Sequence, residues 1–198
     1  MTKIKMCGLR RREDIEYANR LLPDYIGYVF AKSSKRYIVP EKAAELTGLL
    51  DERIVPVGVF VDSGFDEIYS IVSAGAVRAV QLHGNENEEL IRRLQREGIT
   101  VIRAFKVKSN EDIEKANSSC ADFVLLDSGS GSGEVFDWSI IGGIKRDFFL
   151  AGGITPENAG KAIKTLNPYG LDASSCLETE GFKDFDKMAA FAEAVRAV

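Results

Sequence analysis

Short runs of β-branched and aromatic residues recur along the chain, each bounded by glycine, proline or polar turn residues. Runs of this composition are typical of β-strands. They predict eight strands, at residues 3–7, 25–30, 55–61, 79–83, 100–106, 123–127, 148–152 and 170–174. The strands begin at nearly even intervals, and each interval has room for one strand and one helix.

Between the predicted strands, apolar residues follow the three- and four-residue spacing of an amphipathic helix. Such faces are marked by Ile15, Ala18 and Leu22 in the first unit and by Met188, Phe191 and Val195 in the last. Caps, first-turn prolines and acidic residues predict helix starts at Pro40-Glu41, Asn110-Glu111-Asp112 and Thr155-Pro156-Glu157, and glycines predict helix ends at Gly48, Gly75 and Gly98. Strand and helix therefore alternate along the chain.

This alternation predicts the fold. Strands separated by helices run parallel with right-handed crossovers, and eight such units close into a (β/α)8 barrel. We expect residues 1–198 to form a single α/β domain of this kind. Because a typical barrel has about 250 residues, the loops must be short. A doubly wound open sheet is the alternative, which the lack of a dinucleotide-binding glycine motif after any predicted strand weakens.

Composition narrows the class of partner. The 198 residues include 26 Lys and Arg and 30 Asp and Glu, for a net charge of -4, and neither sign is gathered into a long block. We therefore expect no nucleic-acid or membrane partner. The apolar runs and the N-terminal residues resemble neither a membrane span nor a signal peptide, which predicts a cytoplasmic protein. Three cysteines without CxxC spacing and one histidine predict free thiols and no metal site.

Two residue pairs at predicted strand ends indicate an anion site. Gly152 and Gly153 end the seventh strand before a proline-led helix, and Ser174 and Ser175 end the eighth. In a barrel, strand ends surround one cavity, where backbone N–H groups, hydroxyls and a helix N-terminus bind phosphate. Each pair alone is equally consistent with a tight turn or a helix cap. Their joint position favours a small phosphorylated substrate.

Two reactive side chains also end strands. Cys7 ends the first strand, where a thiol with a reference pKa of about 8.5 can act as a base if a positive neighbour favours the thiolate; an inert apolar cysteine is the alternative. Asp127 ends the sixth strand before residues 128–134, a glycine- and serine-rich segment that we expect to close over a ligand. Closure would raise the pKa of Asp127 and make it a proton donor, whereas the alternative is a turn cap.

Other polar residues near strand ends suggest binding roles or competing chemistry. Arg36 could clamp a carboxylate with two parallel hydrogen bonds, or be a solvated loop charge. His83 could act as a base, but as the sole histidine it is predicted instead to line the substrate or form a hydrogen-bonded part of the wall. Lys106 raises Schiff-base chemistry, which a buried lysine at a strand end can perform. Asp137 and Trp138 are predicted to form a helix cap with a packing aromatic.

A series of motifs runs in order along the chain: KIKMCGLRRREDI, YIGYVFAKSSKRYI, VGVFVD, VQLHGNE, VLLDS with GSGSGEVFDW, LAGGITPENA and GLDASSCLETEGFKD. Through them the whole chain resembles the phosphoribosylanthranilate isomerase family of tryptophan biosynthesis. The resemblance implies an Amadori rearrangement of N-(5′-phosphoribosyl)anthranilate to 1-(2-carboxyphenylamino)-1-deoxyribulose 5-phosphate, without metal or cofactor. It also implies that the substrate is a phosphorylated small molecule.

The resemblance further implies a role for each site residue. Asp127 matches the acid that protonates the ribose ring oxygen, and Cys7 matches the base that removes the proton from the second sugar carbon. The implied binding residues are Arg36 for the carboxylate, His83 along the substrate, Asp172 near the sugar hydroxyls, and Gly152, Gly153, Ser174 and Ser175 for the phosphate.

Two positions depart from the family pattern. Lys35 stands where the family usually has proline, which should loosen the loop before Arg36. Cys176 stands where glycine is usual, so the backbone beside the phosphate site is expected to differ locally from that of the family. The competing functions are a related phosphosugar barrel enzyme, including a Schiff-base aldolase, and a barrel that binds a phosphorylated metabolite without chemistry. We expect a monomer or a homodimer.

Overall fold

The computed structural model describes residues 1–127 and 138–198. Its central feature is a closed barrel of eight parallel strands in chain order, in which the last strand pairs with the first. The strands are β1 (Lys3–Cys7), β2 (Tyr25–Val29), β3 (Val55–Phe60), β4 (Ala79–Leu82), β5 (Thr100–Lys106), β6 (Phe123–Asp127), β7 (Phe148–Ala151) and β8 (Gly170–Ala173). The predicted fold class, a (β/α)8 barrel, is confirmed.

Helices connect the strands. They are α1 (Arg12–Leu21), α2 (Pro40–Thr47), α3 (Phe65–Ser73), α4 (Glu88–Arg96), α5 (Asn110–Ser118), α6 (Pro156–Leu166) and α7 (Phe185–Arg196). After β8, a short 3-10 helix (Ser175–Leu177) leads into a hairpin of two antiparallel strands, β9 (Glu178–Thr179) and β10 (Phe182–Lys183). In the described part of the chain, no helix has the length and apolar character needed to cross a lipid bilayer.

The strand predictions were accurate to one residue. The bounds of β1, β5 and β6 agree with the prediction, and the other five strands end one residue earlier than predicted. Phe30 and His83, which were predicted as the last residues of β2 and β4, still donate hydrogen bonds to the neighbouring strand through their backbone N–H groups. Beyond these bonds the chain turns into a βα loop, so the sequence pattern continues slightly further than the regular ladder.

The helix signals were also mostly correct. Pro40 and Pro156 open α2 and α6, and Gly75 and Gly98 adopt φ of 75° just after α3 and α4. Two details differ. Ser109, rather than Asn110, caps α5. It forms a capping box with Asp112, in which the N–H of Ser109 donates to Asp112 Oδ2 at 3.2 Å. Leu22, predicted on the apolar face of α1, is the residue that ends the helix, at φ of 49°.

The sixth βα unit differs from the others. Between β6 and β7, the described residues contain a 3-10 helix, Trp138–Gly143, where the regular alternation predicts an α-helix. Trp138 begins this helix and packs against the main core, as predicted for its aromatic ring. Asp137, its predicted cap, lies outside the described residues.

The core has two parts. The larger part lies between the barrel and the surrounding helices. A smaller cluster inside the barrel consists of Val57, Ala79, Ile102, Ala104, Leu125, Phe149 and Ala151, with Tyr25, Val55, Phe123 and Tyr169 against it. These residues follow the two-residue alternation that directs every second side chain of a strand into the barrel. They fill the barrel interior from its amino-terminal end up to Ala151, the last residue of β7, and leave the carboxyl end open for a site.

We predict that Gly170→Ala destabilises the barrel. A Cβ atom at Gly170 would lie 2.7 Å from Cδ1 and Cε1 of the buried Phe149 and 3.1 Å from the carbonyl oxygen of Lys3. Overpacking of this kind typically costs about 1–3 kcal/mol, which a lower urea midpoint would show. Gly142→Ala is the control, since no atom lies within 4 Å of its added Cβ. Equal midpoints for the two variants would contradict the prediction.

Candidate active site

A cavity of about 430 Å³ opens at the carboxyl end of the barrel, a volume in the range of small-molecule sites. Its wall includes every residue predicted for the site, namely Cys7, Arg36, His83, Asp127, Gly152, Gly153, Asp172, Ser174 and Ser175. Val29, Val59 and Ala151 add apolar surface. Together with Lys106 of β5, these residues come from all eight strands or from the loops that follow them.

Cys7 lines this cavity although its exposed fraction is only 8%. Gly27 pairs with it on β2, and a Cβ atom at Gly27 would lie 2.6 Å from the Cys7 sulfur. The glycine therefore leaves the space that the sulfur occupies. Burial raises the pKa of the Cys7 thiol above its ordinary value, and the positive charge of Lys5 opposes that shift. Formation of the thiolate depends on such positive neighbours.

Lys5 is not among the residues predicted from the sequence. It is fully buried on β1, and its Nζ lies 2.9 Å from Oδ1 of Asp172, its register partner on β8. Burial by itself would lower the pKa of Lys5, but Asp172 and Cys7 raise it overall, so the ammonium stays charged. The signal was present in KIKMC, because the two-residue alternation of a strand places Lys5 and Cys7 on one face.

His83 lies between Gln81 and Asp127. Its Nδ1 accepts a hydrogen bond from Gln81 Nε2 at 2.9 Å, which leaves Nε2 to carry the ring proton, 3.4 Å from Asp127 Oδ2. Gln81, also missed by the sequence prediction, is 1% exposed, and within the described ranges its Oε1 has no hydrogen-bond partner. This buried oxygen at the cavity wall can accept a hydrogen bond from a ligand hydroxyl.

Arg36 lines the cavity but is already engaged on one side. Its Nε and Nη2 donate to the two carboxylate oxygens of Glu178, at 2.5 Å and 2.8 Å. The fork occupies one edge of the guanidinium and leaves Nη1 on the other. A Cβ atom at Gly8, which has φ of 86°, would lie 2.4 Å from Arg36 Cδ, so this glycine leaves room for the arginine. Neither Glu178 nor its second partner, Lys183, was predicted from the sequence.

The predicted anion site has the expected components. Gly152 and Gly153 adopt φ of 82° and 68°, values that favour glycine, and α6 begins three residues later. Asn158 Nδ2 donates to the Gly153 carbonyl at 2.8 Å and holds this turn against the helix. On the other side, Ser174 Oγ donates to the Cys7 carbonyl at 3.0 Å. The turn and the two serines line the same cavity, and α6 begins two residues after Ile154, the last residue of the turn in the cavity wall.

Comparison with known proteins agrees with this site. The model of the N-(5′-phosphoribosyl)anthranilate (PRA) isomerase family matches residues 4–194. The chain belongs to this isomerase family. The N-(5′-phosphoribosyl)anthranilate isomerase of Thermoanaerobacter sp. (strain X514) is 43% identical over 205 residues, covering 100% of both chains.

Solved structures of phosphoribosyl anthranilate isomerases are similar over the whole chain. That of Thermotoga maritima has a TM-score of 0.90 at 36% identity, covering 100% of both chains. A second, in complex with reduced 1-(o-carboxyphenylamino)-1-deoxyribulose 5-phosphate, has a TM-score of 0.88 at 34% identity with the same coverage. The predicted family and enzyme class, an isomerase of tryptophan biosynthesis, are confirmed.

The two departures from the pattern of the isomerase family have local explanations. Cys176 lies within the 3-10 helix Ser175–Leu177, a conformation open to any residue, so the position does not require glycine. Burial raises the pKa of its thiol to about 11, which keeps it neutral. Lys35 is exposed, and its carbonyl accepts a hydrogen bond from Arg10 Nη1 at 2.8 Å, a contact that restrains the loop without proline.

Other predictions had mixed outcomes. Lys106 lines the cavity but is exposed, so the buried lysine on which the Schiff-base alternative relied is absent at this position. The segment predicted to close over a ligand, residues 128–134, lies outside the described residues. Within residues 1–127 and 138–198, no group of three or more His, Cys, Asp or Glu side chains is placed to hold a metal ion.

We predict that Lys5→Met raises the pKa of Cys7 further, because the variant removes a positive charge that favours the thiolate. The measurement is the rate of Cys7 alkylation by iodoacetamide against pH, followed by peptide mass spectrometry. Lys3→Met is the matched control, since Lys3 lies on the same strand but pairs with Asp24 outside the cavity. An unchanged alkylation profile in Lys5→Met would show that Lys5 does not act on the thiol.

Proposed function

We propose that this chain catalyses the Amadori rearrangement of N-(5′-phosphoribosyl)anthranilate to 1-(2-carboxyphenylamino)-1-deoxyribulose 5-phosphate, with Asp127 as general acid and Cys7 as general base. The observation that carries the proposal is the presence of both side chains on one cavity wall in a member of this isomerase family. A barrel that only bound the substrate would need neither a thiol nor a carboxyl group there.

The cavity offers a partner for each polar part of this substrate. The phosphate binds at Gly152, Gly153, Ser174 and Ser175, where backbone N–H groups and the α6 N-terminus favour an anion. The free edge of Arg36 binds the carboxylate. Asp172 and Gln81 accept hydrogen bonds from the sugar hydroxyls. The bound compound in one related structure, a reduced form of the proposed product, contains the same phosphate and carboxyl groups.

In the first step, the protonated carboxyl group of Asp127 donates its proton to the ribose ring oxygen. The bond between the first sugar carbon and that oxygen breaks, and the anilino nitrogen donates its lone pair to form an iminium ion. His83 Nε2 stands 3.4 Å from Asp127 Oδ2 and stabilises the carboxylate that remains. Loss of the proton therefore leaves a charge that already has a polar neighbour.

In the second step, the thiolate of Cys7 removes the proton from the second sugar carbon. The iminium ion makes this proton acidic, so a base of modest strength is sufficient. Its positive charge also favours the thiolate, against the burial that raises the pKa of Cys7. The resulting enolamine takes a proton at the first carbon and loses one from its hydroxyl, which yields the ketone.

Removal of either catalytic group should abolish most of the turnover. A positioned acid or base typically contributes about 100- to 10,000-fold to a rate, so Cys7→Ala and Asp127→Asn should each lower kcat by at least that range. The assay is the loss of substrate fluorescence with freshly prepared phosphoribosylanthranilate, together with circular dichroism to show that each variant is folded.

Cys120→Ala is the control for the cysteine variant, because this free cysteine does not line the cavity and should be dispensable. A folded Cys7→Ala variant with wild-type kcat would rule out the thiol as the base. Failure of the wild-type protein to accelerate the reaction would support the binding protein without chemistry.

Arg36→Ala should raise KM by about 10- to 100-fold, the range expected for losing a charge-assisted hydrogen bond, and change kcat much less. The carboxylate is held equally in the ground state and the transition state, and Arg36 lowers the pKa of Cys7 less than Lys5 or Lys183 does. Steady-state kinetics test this, with Lys35→Ala as the control because Lys35 is an exposed cation on the same loop. An unchanged KM in Arg36→Ala would exclude its contact with the carboxylate.

A further inference from the structure

Arg36 lines the cavity, but it is paired with a carboxylate and is not an isolated cation. Glu178 binds its Nε and Nη2 in a fork at 2.5 Å and 2.8 Å, and only 6% of the Glu178 side chain is exposed. Burial by itself would raise the pKa of Glu178, but Arg36 and Lys183 lower it to about 2, so the carboxylate is ionised. An arginine paired in this way with a carboxylate is neutral overall and attracts a second carboxylate weakly.

Lys183 restores the missing charge. Its side chain is 1% exposed, and its Nζ donates to Glu178 Oε1 at 2.8 Å and to the Ser174 carbonyl at 2.9 Å. Burial lowers the pKa of Lys183 from its ordinary value, and the bound Glu178 carboxylate opposes that shift. With Lys183 protonated, Arg36, Glu178 and Lys183, which we call the Arg36 cluster, together carry one net positive charge. Of the three, Arg36 lines the cavity, whereas Glu178 and Lys183 lie behind it. The net charge is therefore presented to the cavity by the guanidinium.

The hairpin that carries Glu178 and Lys183 is held in place by other contacts. Arg11 Nη2 donates to the Lys183 carbonyl at 2.8 Å, and Arg10 Nη2 donates to the Gly181 carbonyl at 3.1 Å. The guanidinium groups of Arg10 and Arg11 also lie over the Phe182 ring, at 4.9 Å and 4.6 Å from its centre, respectively. Lys183 thus sits on a fixed support, and its ammonium keeps one position behind Arg36.

We propose that Lys183 is a positioning residue that sets the charge of the carboxylate subsite: by neutralising Glu178, it leaves the Arg36 guanidinium able to attract the carboxylate of the substrate. The inference rests on the proposed function, in which Arg36 binds that carboxylate. Glu178 fixes the direction of the guanidinium, and Lys183 preserves its charge. No proton moves to or from Lys183, so its main effect falls on substrate binding. Its charge also lowers the pKa of Cys7, but less than Lys5 does, and this effect is the same for any substrate.

The test compares two substrates that differ only in the carboxylate. For phosphoribosylanthranilate, Lys183→Met should raise KM about tenfold or more, as expected for weakening a charge-assisted contact, with kcat little changed. For N-(5′-phosphoribosyl)aniline, which lacks the carboxylate, KM should stay near the wild-type value, and kcat should change no more than it does for phosphoribosylanthranilate, with the product measured by chromatography. A similar rise in KM for both substrates would overturn the proposal, as would no rise for the carboxylated one.

A charge-compensated variant separates electrostatics from packing. Lys183→Met combined with Glu178→Gln removes one charge of each sign and leaves Arg36 positive, with an amide oxygen still facing its fork. The KM for phosphoribosylanthranilate should then return towards the wild-type value. A KM as high as in Lys183→Met, or higher, would show that the lysine acts through packing and would overturn the proposal.

Two further variants complete the design. If Lys183→Met does not fold, Lys183→Gln provides the same test, because its amide keeps hydrogen-bond donors without the charge. Lys187→Met is the matched control: Lys187 is exposed and binds the Glu178 backbone carbonyl at 2.7 Å, so its loss should leave KM unchanged. An unchanged KM in Arg36→Ala would show that the carboxylate assignment itself has failed, which distinguishes that failure from a failure of the role of Lys183.

Discussion

The barrel closes where its first strand meets its last, and the buried ion pair between Lys5 and Asp172 spans that junction. The two residues are register partners on β1 and β8, and their charged atoms are 2.9 Å apart. Removing one partner of a buried pair typically costs about 3–5 kcal/mol, so any other register of these strands would be strongly disfavoured. The register continues with Met6 and Ala173, and just beyond it Ser174 Oγ donates to the Cys7 carbonyl. Closure of the barrel and placement of the proposed base therefore depend on the same strand pairing.

The charged groups around Cys7 have opposing effects on the pKa of its thiol. Lys5, Lys183 and Arg36 each lower the pKa of Cys7, whereas burial and Asp172 raise it. Burial has the largest of these effects, so the pKa of the thiol is raised overall. A cationic intermediate would shift this balance towards the thiolate at the step that needs a base. Because all these groups are poorly solvated, a single added charge has a large effect on them.

The β9–β10 hairpin shows how a short connection can support a site without lining it. The hairpin of β9 and β10 places Glu178 and Lys183 behind Arg36, and residues at the start of the first βα unit hold the hairpin in turn. The loop after β1, the loop after β2 and the β9–β10 hairpin are therefore in direct contact with one another. This arrangement explains how Lys35 can replace a stiffer residue, since the loop is restrained by Arg10 from outside.

The sequence by itself determined the barrel, the strand positions to within a residue and the wall of the cavity, because periodicity, turn residues and strand ends are local properties of the chain. It also identified the family through its motifs. Only the tertiary structure revealed Lys5, Gln81, Glu178 and Lys183 as parts of the site. Two of their contacts join residues far apart in the chain, 167 positions for Lys5 with Asp172 and 142 for Arg36 with Glu178. Which distant charges meet is decided by strand register and loop packing, and no local pattern in the chain records it.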